Sequence, residues 1–477
     1  KWIVLLLVLS IMSVMALGCN QDDVDKSSSE SQSSSIPEES QTPAELEAPF
    51  EGLKFTPHDK DFGGKTIQIS LWGPVQERGS SAVVDRRLDM WEKAMDKYNI
   101  VIEELGTAIY TFTEDVITLH SAGLKYSDIM MAPSIYGVSL LKTGVLRPLD
   151  NYIDYEHERF FSAGEFSKYI DGKRYSMIGA EDMLGNAVYY NTEILKNEGI
   201  EDIMSLYEKG EWTWEKLEEI AIKTTKTTAD GTVTQWGIAG SMILNSILAS
   251  NGVPMVGIDF ENKKFESGFY TEPGNNALNF LRKLLYEHKV VDPFTYGGNE
   301  GIPLMNQRKA AMILAPAYYG YHFTRAKLPF KTAPLPLGPD VDKPVKLMQY
   351  TNWWSVTTNS DFSTEDAIMI FLHSNFNDPD DTDIYISEEY EDQLNLSILA
   401  NVDTHGLFRN DIEGKFWFDY LRNREIKGIL DYNPQSTESD IFLLENIFMP
   451  LVRGEDPRSH LESIKPIMQG KLDSLMP

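Results

Sequence analysis

The chain has 477 residues and 42% apolar content, enough for a large core and too long for one ordinary domain, so two lobes are the starting expectation. Its 72 acidic residues against 43 basic ones leave a formal net charge of -29, which repels phosphate backbones and anionic lipid heads. No nucleic-acid partner is expected, and the acidity otherwise serves solubility.

From Trp2 to Leu17 no residue is charged. At ~1.5 Å per residue this run is shorter than the ~30 Å hydrocarbon core of a bilayer, so it reads as a signal peptide, residues 1–18, with Lys1 as the remnant of its basic start. It ends in Ala16-Leu17-Gly18-Cys19, which resembles the bacterial lipobox with Ala16 in the place usually held by Leu. Cys19 is the only cysteine, so an internal disulfide or a cysteine-built metal site is excluded. Lipidation of Cys19 is the expected reason for its position; the other reading is an ordinary secretory cleavage beside an incidental cysteine. Residues 19–55 are rich in Ser, acid and Pro, too poor in large apolar groups to offset chain entropy, and read as a flexible tether. Folded structure is expected from about Phe62.

Thr66 to Trp72 alternates polar and apolar residues, the period of a strand, and Gly73-Pro74 stops it. Asp85 to Tyr98 spaces Leu88, Trp91, Met95 and Tyr98 by three and four, an amphipathic helix with Trp91 in its core face. Ile100 to Ile102 is a second strand, and Asp128 to Ala132 a third, apolar throughout as in a parallel sheet buried on both faces. Val138 to Lys142 reads as a helix stopped by Gly144. This β-α alternation predicts open parallel sheets covered by helices, with ligands beyond the carboxyl ends of the strands. Farther on, Thr213 is placed to cap a helix packed through Trp214, Leu217 and Ala221, and Asn276 to His288 offers Ala277, Leu281, Leu284 and Leu285 on one face.

Several segments in order resemble the extracellular solute-binding proteins of ABC importers, family 1, whose fold is like that of maltose-binding protein. They are Asp128 to Pro133 followed by Gly144, Leu146 and Pro148-Leu149-Asp150; Tyr189-Tyr190-Asn191 with Leu195; Trp212 to Leu217; Asn306 to Met312, where Arg308 replaces the usual Gly; and Pro334 to Gly338. The resemblance spans residues 62 to about 360. It implies an α/β, two-lobed periplasmic-binding-protein-like fold, each lobe a mostly parallel sheet flanked by helices, with the lobes joined by crossing strands. On that reading lobe 1 comprises 62–178 and 334–375, and lobe 2 comprises 179–333 and 376–477. Crossings are expected near Ile178 to Asp182, Pro334 to Gly338 and Ser374 to Asp378. A solute would bind between lobes that close by hinge motion.

Catalytic signatures are missing. The eight histidines form no His-Glu-x-x-His pair, no Gly-x-Ser-x-Gly elbow occurs, and Gly64-Lys65-Thr66 has Asp59 where a phosphate loop needs its first glycine. Asn377 to Asp383 lacks the ligand count and central glycine of a calcium loop and reads as solvated. No enzyme activity, cofactor or metal is expected. A secreted glycoside hydrolase, a binder of a non-sugar solute such as a peptide, and a surface adhesin are the alternatives kept open.

A sugar ring has an apolar face and a fringe of hydroxyls, so its site needs aromatic platforms beside carboxylates and amides. The candidate ligand residues are Trp72, Glu77, Ser134, Tyr136, Glu181, Asp182, Tyr318, Tyr319, Asn352 and Trp353. Trp353 and Trp354 are adjacent in a strand-like run, so one of them is expected to pack in the core. The expected partners are a small solute, a carbohydrate first, and the permease subunits of an importer. The protein is expected as a monomer at the extracellular face of the cell membrane, held there only through its lipid anchor.

Cys19→Ser should move the protein from the membrane fraction to the medium, as followed by immunoblotting of the two. Equal membrane retention would sink the lipoprotein reading.

Overall fold

The computed structural model describes residues 52–80, 82–107, 111–133, 140–141, 143–157, 160, 171–177, 186–259, 261–296, 299–316, 319–344, 347–348, 352–376, 429–430 and 443–474. In chain order, the first lobe holds β1 (Lys65–Trp72), α1 (Ala82–Tyr98), β2 (Ile100–Thr107), α2 (Phe112–Ser121) and β3 (Ile129–Pro133). The second holds β4 (Asn186–Asn191), α3 (Thr192–Asn197), α4 (Ile203–Glu208), α5 (Trp214–Thr224), β5 (Lys226–Thr227), β6 (Val233–Ala239) and α6 (Ile243–Ser250). It continues through β7 (Val256–Asp259), β8 (Lys264–Ser267), α7 (Glu272–Arg282), α8 (Ile302–Asn306), β9 (Ala310–Pro316), α9 (Gly320–Arg325) and β10 (Phe330–Ala333). After β11 (Leu347–Met348), β12 (Asn352–Val356) and α10 (Thr364–Phe376) return to the first lobe. β13 (Ile429–Leu430), α11 (Met449–Val452) and α12 (Pro457–Ser474) follow. Among the described residues no helix is long and apolar enough to cross a membrane.

The first sheet has the order β12-β3-β1-β2. β1 runs parallel to β2, from Lys65↔Ile100 to Trp72↔Thr107, and parallel to β3. β2 is longer than the apolar triplet at its start suggests, because β1 pairs along its whole length. The alternation in β1 does bury Ile67, Ile69 and Leu71, and α1 turns Trp91 and Tyr98 into the same core. α10 supplies Ala367 to Leu372, all buried, and packs against α1. The helix α2 has no counterpart in the sequence reading, and most of the expected helix at 138–142 lies outside the described residues. Gly144, its stop, has φ +70 and donates its N–H to the Leu141 carbonyl at 3.0 Å, a left-handed turn suited to glycine.

Ordered chain begins earlier than Phe62. Leu53 bridges to Ile153, the Lys54 N–H donates to the Tyr152 carbonyl at 2.9 Å, and the Phe55 ring meets Tyr152 edge-on. His58 and Lys60 then pair with the buried carboxylate of Asp366 on α10. The composition of this stretch looks like tether; the first lobe supplies the apolar and acidic partners that fasten it.

The second sheet has the order β10-β4-β9-β6-β5. β6 and β9 are parallel, and β10 points the same way, reached from β9 through α9. β4 is inserted antiparallel between β9 and β10, and β5 is antiparallel at the edge. The sheet is therefore mixed where a mostly parallel one was expected, because β4 runs antiparallel to both of its neighbours. Period-two alternation splits its strands between two cores. Val188, Tyr190, Met312 and Leu314 join one; Ala187, Tyr189, Ile313 and Ala315 join the other.

Helix α5 buries Trp214, Leu217 and Ala221 as expected, and Trp214 stacks on Phe280 of α7 with ring centroids 4.4 Å apart. Thr213 occupies the cap position, but its side chain makes no capping bond. Instead the Trp214 N–H donates to the Leu337 carbonyl, and Leu337 N–H to the Trp212 carbonyl, both at 3.0 Å. Gly338 N–H reaches the Ser250 carbonyl at 3.0 Å, and Asp340 N–H reaches Asn251 Oδ1 at 3.0 Å. Pro334 to Gly338 is thus bonded into the second lobe and is not the crossing expected there; the chain rejoins the first sheet only at Asn352. The face expected from Ala277, Leu281, Leu284 and Leu285 is buried, running from α7 into the π-helical turn Lys283–Glu287 that continues it. Arg308, which stands where the family pattern has Gly, has φ +57, a conformation that glycine adopts without strain.

Asp128 ties the first lobe together with no solvent exposure of its side chain. Its Oδ2 accepts from the Gln68 N–H at 2.9 Å and from Lys125 Nζ at 3.0 Å. Its Oδ1 accepts from the Ser360 hydroxyl at 2.8 Å and the Asp361 N–H at 2.9 Å. One carboxylate therefore joins β1, the entry to β3 and the loop after β12. Asp128→Ala should lower unfolding stability by about 3–5 kcal/mol in urea titration, since it strands these donors in a buried site. A loss below about 1 kcal/mol would show that the network is dispensable.

Candidate functional site

In open α/β sheets the ligand edge is where the parallel strands end. On the first sheet that edge carries Trp72 and Thr107, which are register partners, and Pro133, which is paired with Asn352. Trp353 follows, opposite Ala132. The strand register thus brings the backbones of Trp72, Asn352 and Trp353 to one end of one sheet; their side chains lie outside the described atoms. Trp354 is the member of the tryptophan pair that packs in the core, tilted against Phe371 at 4.9 Å.

The connection after β1 lies across this edge because β2 allows close approach. Gly73 N–H donates to Thr107 Oγ1 at 3.3 Å, and Thr107 N–H donates to the Gly73 carbonyl at 2.8 Å. A Cβ on Gly106 would stand 2.8 Å from the Gly73 carbonyl oxygen, so the crossing requires glycine there. Beyond it, Gln76 N–H donates to Glu104 Oε1 at 3.1 Å, and Arg87 holds the other Glu104 oxygen at 2.9 Å. Glu77 is carried on this pinned loop and is exposed.

On the second sheet, β4 starts opposite the end of β9, with Asn186 paired to Pro316, and β6 ends at Ala239 beside Ile313. Asn186 Nδ2 donates to the Ser246 hydroxyl at 2.7 Å, which donates to the Met242 carbonyl at 2.9 Å. The buried Oδ1 of Asn186 has no hydrogen-bond partner among the described residues, an acceptor suited to a hydroxyl. Met242 itself has φ +55, a strained turn at the end of β6. Beside it, Asp292 is buried in the turn after α7. Burial pushes its carboxyl above the usual carboxylate value, against the Phe294 N–H and Thr295 hydroxyl that donate to it. Neither Asn186 nor Asp292 was singled out from sequence; Asp292-Pro293 signals a turn but not a burial.

Tyr319, expected at the ligand face, is 1% exposed and packs with Tyr189, Phe323 and Phe330, so it is a core residue. Burial among these rings removes its apolar face from water. Ser134, Tyr136, Glu181, Asp182 and Tyr318 lie outside the described residues, as do Cys19 and the Asn377 to Asp383 loop. No group of three or more metal-ligating side chains gathers among the described residues.

Residues 178–185 join Met177, which is bonded to Trp354, to Asn186, and residues 349–351 join β11 to Asn352. The sequence profile of the bacterial extracellular solute-binding protein family matches residues 99–362, more than half of the chain. The chain belongs to that family. This solute-binding protein also resembles solved structures in fold. The maltose/maltodextrin-binding domain MalE of Bdellovibrio bacteriovorus, solved with maltotriose, matches with a TM-score of 0.56 at 16% identity, covering 86% of this chain and 99% of that one. UspC of M. tuberculosis gives 0.58 at 16% identity over 85% and 100%. The maltose-bound MalE3 of T. maritima gives 0.55 at 17% identity over 85% and 100%. At such identities the likeness shows the two-lobed fold and nothing finer. No curated protein sequence matches.

The raised carboxyl of Asp292 gives the binding protein a pH signature. Its folded state holds the proton more tightly than the unfolded chain, so its contribution is present at low pH and is lost as pH rises through the folded-state value. Asp292→Asn keeps the acceptor for Phe294 N–H and removes the desolvated charge. The variant should melt above the parent at pH 7, with the gap closing below about pH 4. A lower melting temperature for the variant at pH 7 would contradict this.

Proposed function

We propose that this protein is a lipid-anchored receptor of an ABC importer, exposed outside the cell membrane, which captures a carbohydrate between its lobes and delivers it to the permease subunits. Family membership supplies solute binding. The observation that carries the sugar is the strand register, which gathers Trp72, Asn352 and Trp353 at one ligand edge. A stacking ring beside an amide is what a pyranose face and its hydroxyls require. Structures of the same fold were solved with maltotriose, maltose and maltotetraose. The Cys19 lipid and the tether would let the two-lobed head reach solute above the membrane as a monomer.

Ligand that binds only the folded form raises the melting temperature, by about 2.7 kcal/mol of stability at a hundredfold excess over Kd. Maltose, maltotriose and maltotetraose should each be tried by calorimetry and thermal melting, with solution scattering to follow lobe closure. At least one should raise the melting temperature and shrink the radius of gyration. If none does while a peptide or other polar solute does, the carbohydrate assignment fails and the solute-binding function stands.

A further inference from the structure

Asp292 to Tyr296 forms a mount that none of the foregoing explains. Val290 to Asp292 lies parallel beside β6: Ile238 N–H donates to the Val290 carbonyl at 3.0 Å, and Asp292 N–H donates to the Ile238 carbonyl at 3.1 Å. The turn after Asp292 therefore emerges at the same edge as the end of β6, beside Gly240 and Met242 and along the edge that holds Asn186 and Pro316. The turn is pinned on both sides. Asp292 Oδ1 accepts from the Phe294 N–H at 3.1 Å, and Thr295 Oγ1 accepts from the Gly240 N–H at 2.8 Å. A Cβ on Gly240 would fall 2.3 Å from the Asp292 carbonyl oxygen, so this approach depends on glycine. Asp292 and Thr295 are buried, and Tyr296 packs on Phe448 with ring centroids 4.5 Å apart.

Between these anchors the side chain of Phe294 is 86% exposed, more than any other large apolar residue among those described. The phenyl ring faces water on a backbone anchored on both sides. Rigid, solvent-facing rings of this kind bind apolar ring faces with little ordering cost.

The geometry points to Phe294 as a stacking platform contributed by the second lobe, a specificity-determining residue for the apolar face of a sugar ring. Trp72 and Trp353 stand at the edge of the first lobe, so Phe294 would complete the site from the other side when the lobes close. The inference rests on the carbohydrate reading and adds a residue to it.

The test compares the parent, Phe294→Ala and Phe294→Trp in calorimetric titrations with maltose, maltotriose and maltotetraose, each preceded by a thermal melt. Because the ring is exposed, both variants should melt as the parent does. Phe294→Ala should weaken the tightest of these sugars by about tenfold or more, and Phe294→Trp should retain or tighten it. Sugar binding by the parent with unchanged affinity in Phe294→Ala would overturn the platform and leave the carbohydrate reading intact. No sugar binding by the parent would overturn both. A fall in the melting temperature of Phe294→Ala would also count against the platform, since it would make the ring a structural prop.

Discussion

The first lobe is closed by a strand that comes back from the second. β12 pairs antiparallel with β3 from Asn352↔Pro133 to Val356↔Ile129, and the loop beyond it is fastened by the buried Asp128 carboxylate. Arg147 adds bonds to the carbonyls of Thr358, Ser360 and Phe362 from the other side. Without this return, β3 would be an open edge, and α10 would have no reason to cover the sheet. The whole second sheet, β4 to β10, lies between β3 and β12 in the chain. The first lobe therefore cannot be completed until that long loop has been closed, a non-local pairing with a large entropic cost.

The same constraint shapes the candidate site. Because the chain must leave one lobe and return, its connecting segments enter each sheet at a definite end. In the first sheet that end holds Trp72, Pro133 and Asn352; in the second it holds Asn186, Pro316 and the strained turn at Met242. The connection is made where the strands leave polar backbone unpaired, which is also where a solute finds donors and acceptors.

Three carboxylates withdrawn from water do different work. Asp128 is fully supplied with donors and holds three chain segments in register. Asp202 caps α4 and also meets Tyr190 and Lys331; burial opposes its ionisation, but these partners outweigh it and hold its carboxyl below the ordinary value. Asp292 has fewer donors, and burial wins. The deeper contrast is one of purpose: the first two stabilise the lobes, and the third positions a turn at the ligand edge.

The sequence by itself determined the elements with strong local signals: β1 and α1 through their periods, the stop at Gly144, the buried faces of α5 and α7, and the order of motifs that marks the family. Local signals suffice there because hydrophobic spacing is a property of consecutive residues. It did not reveal that Leu53 and Phe55 dock on the first lobe, that Pro334 to Gly338 stays with the second, or that β4 enters antiparallel, since each depends on a partner far along the chain. The same limit governs the site. Trp72, Asn352 and Trp353 were legible as candidates because aromatic and amide residues at strand ends carry a local signal, whereas Tyr319, with the same signal, turned into the core. Asn186, Asp292 and Phe294 were not legible. A free carbonyl, a desolvated carboxyl and an exposed phenyl ring are defined by what surrounds them, and only the tertiary structure decides those surroundings.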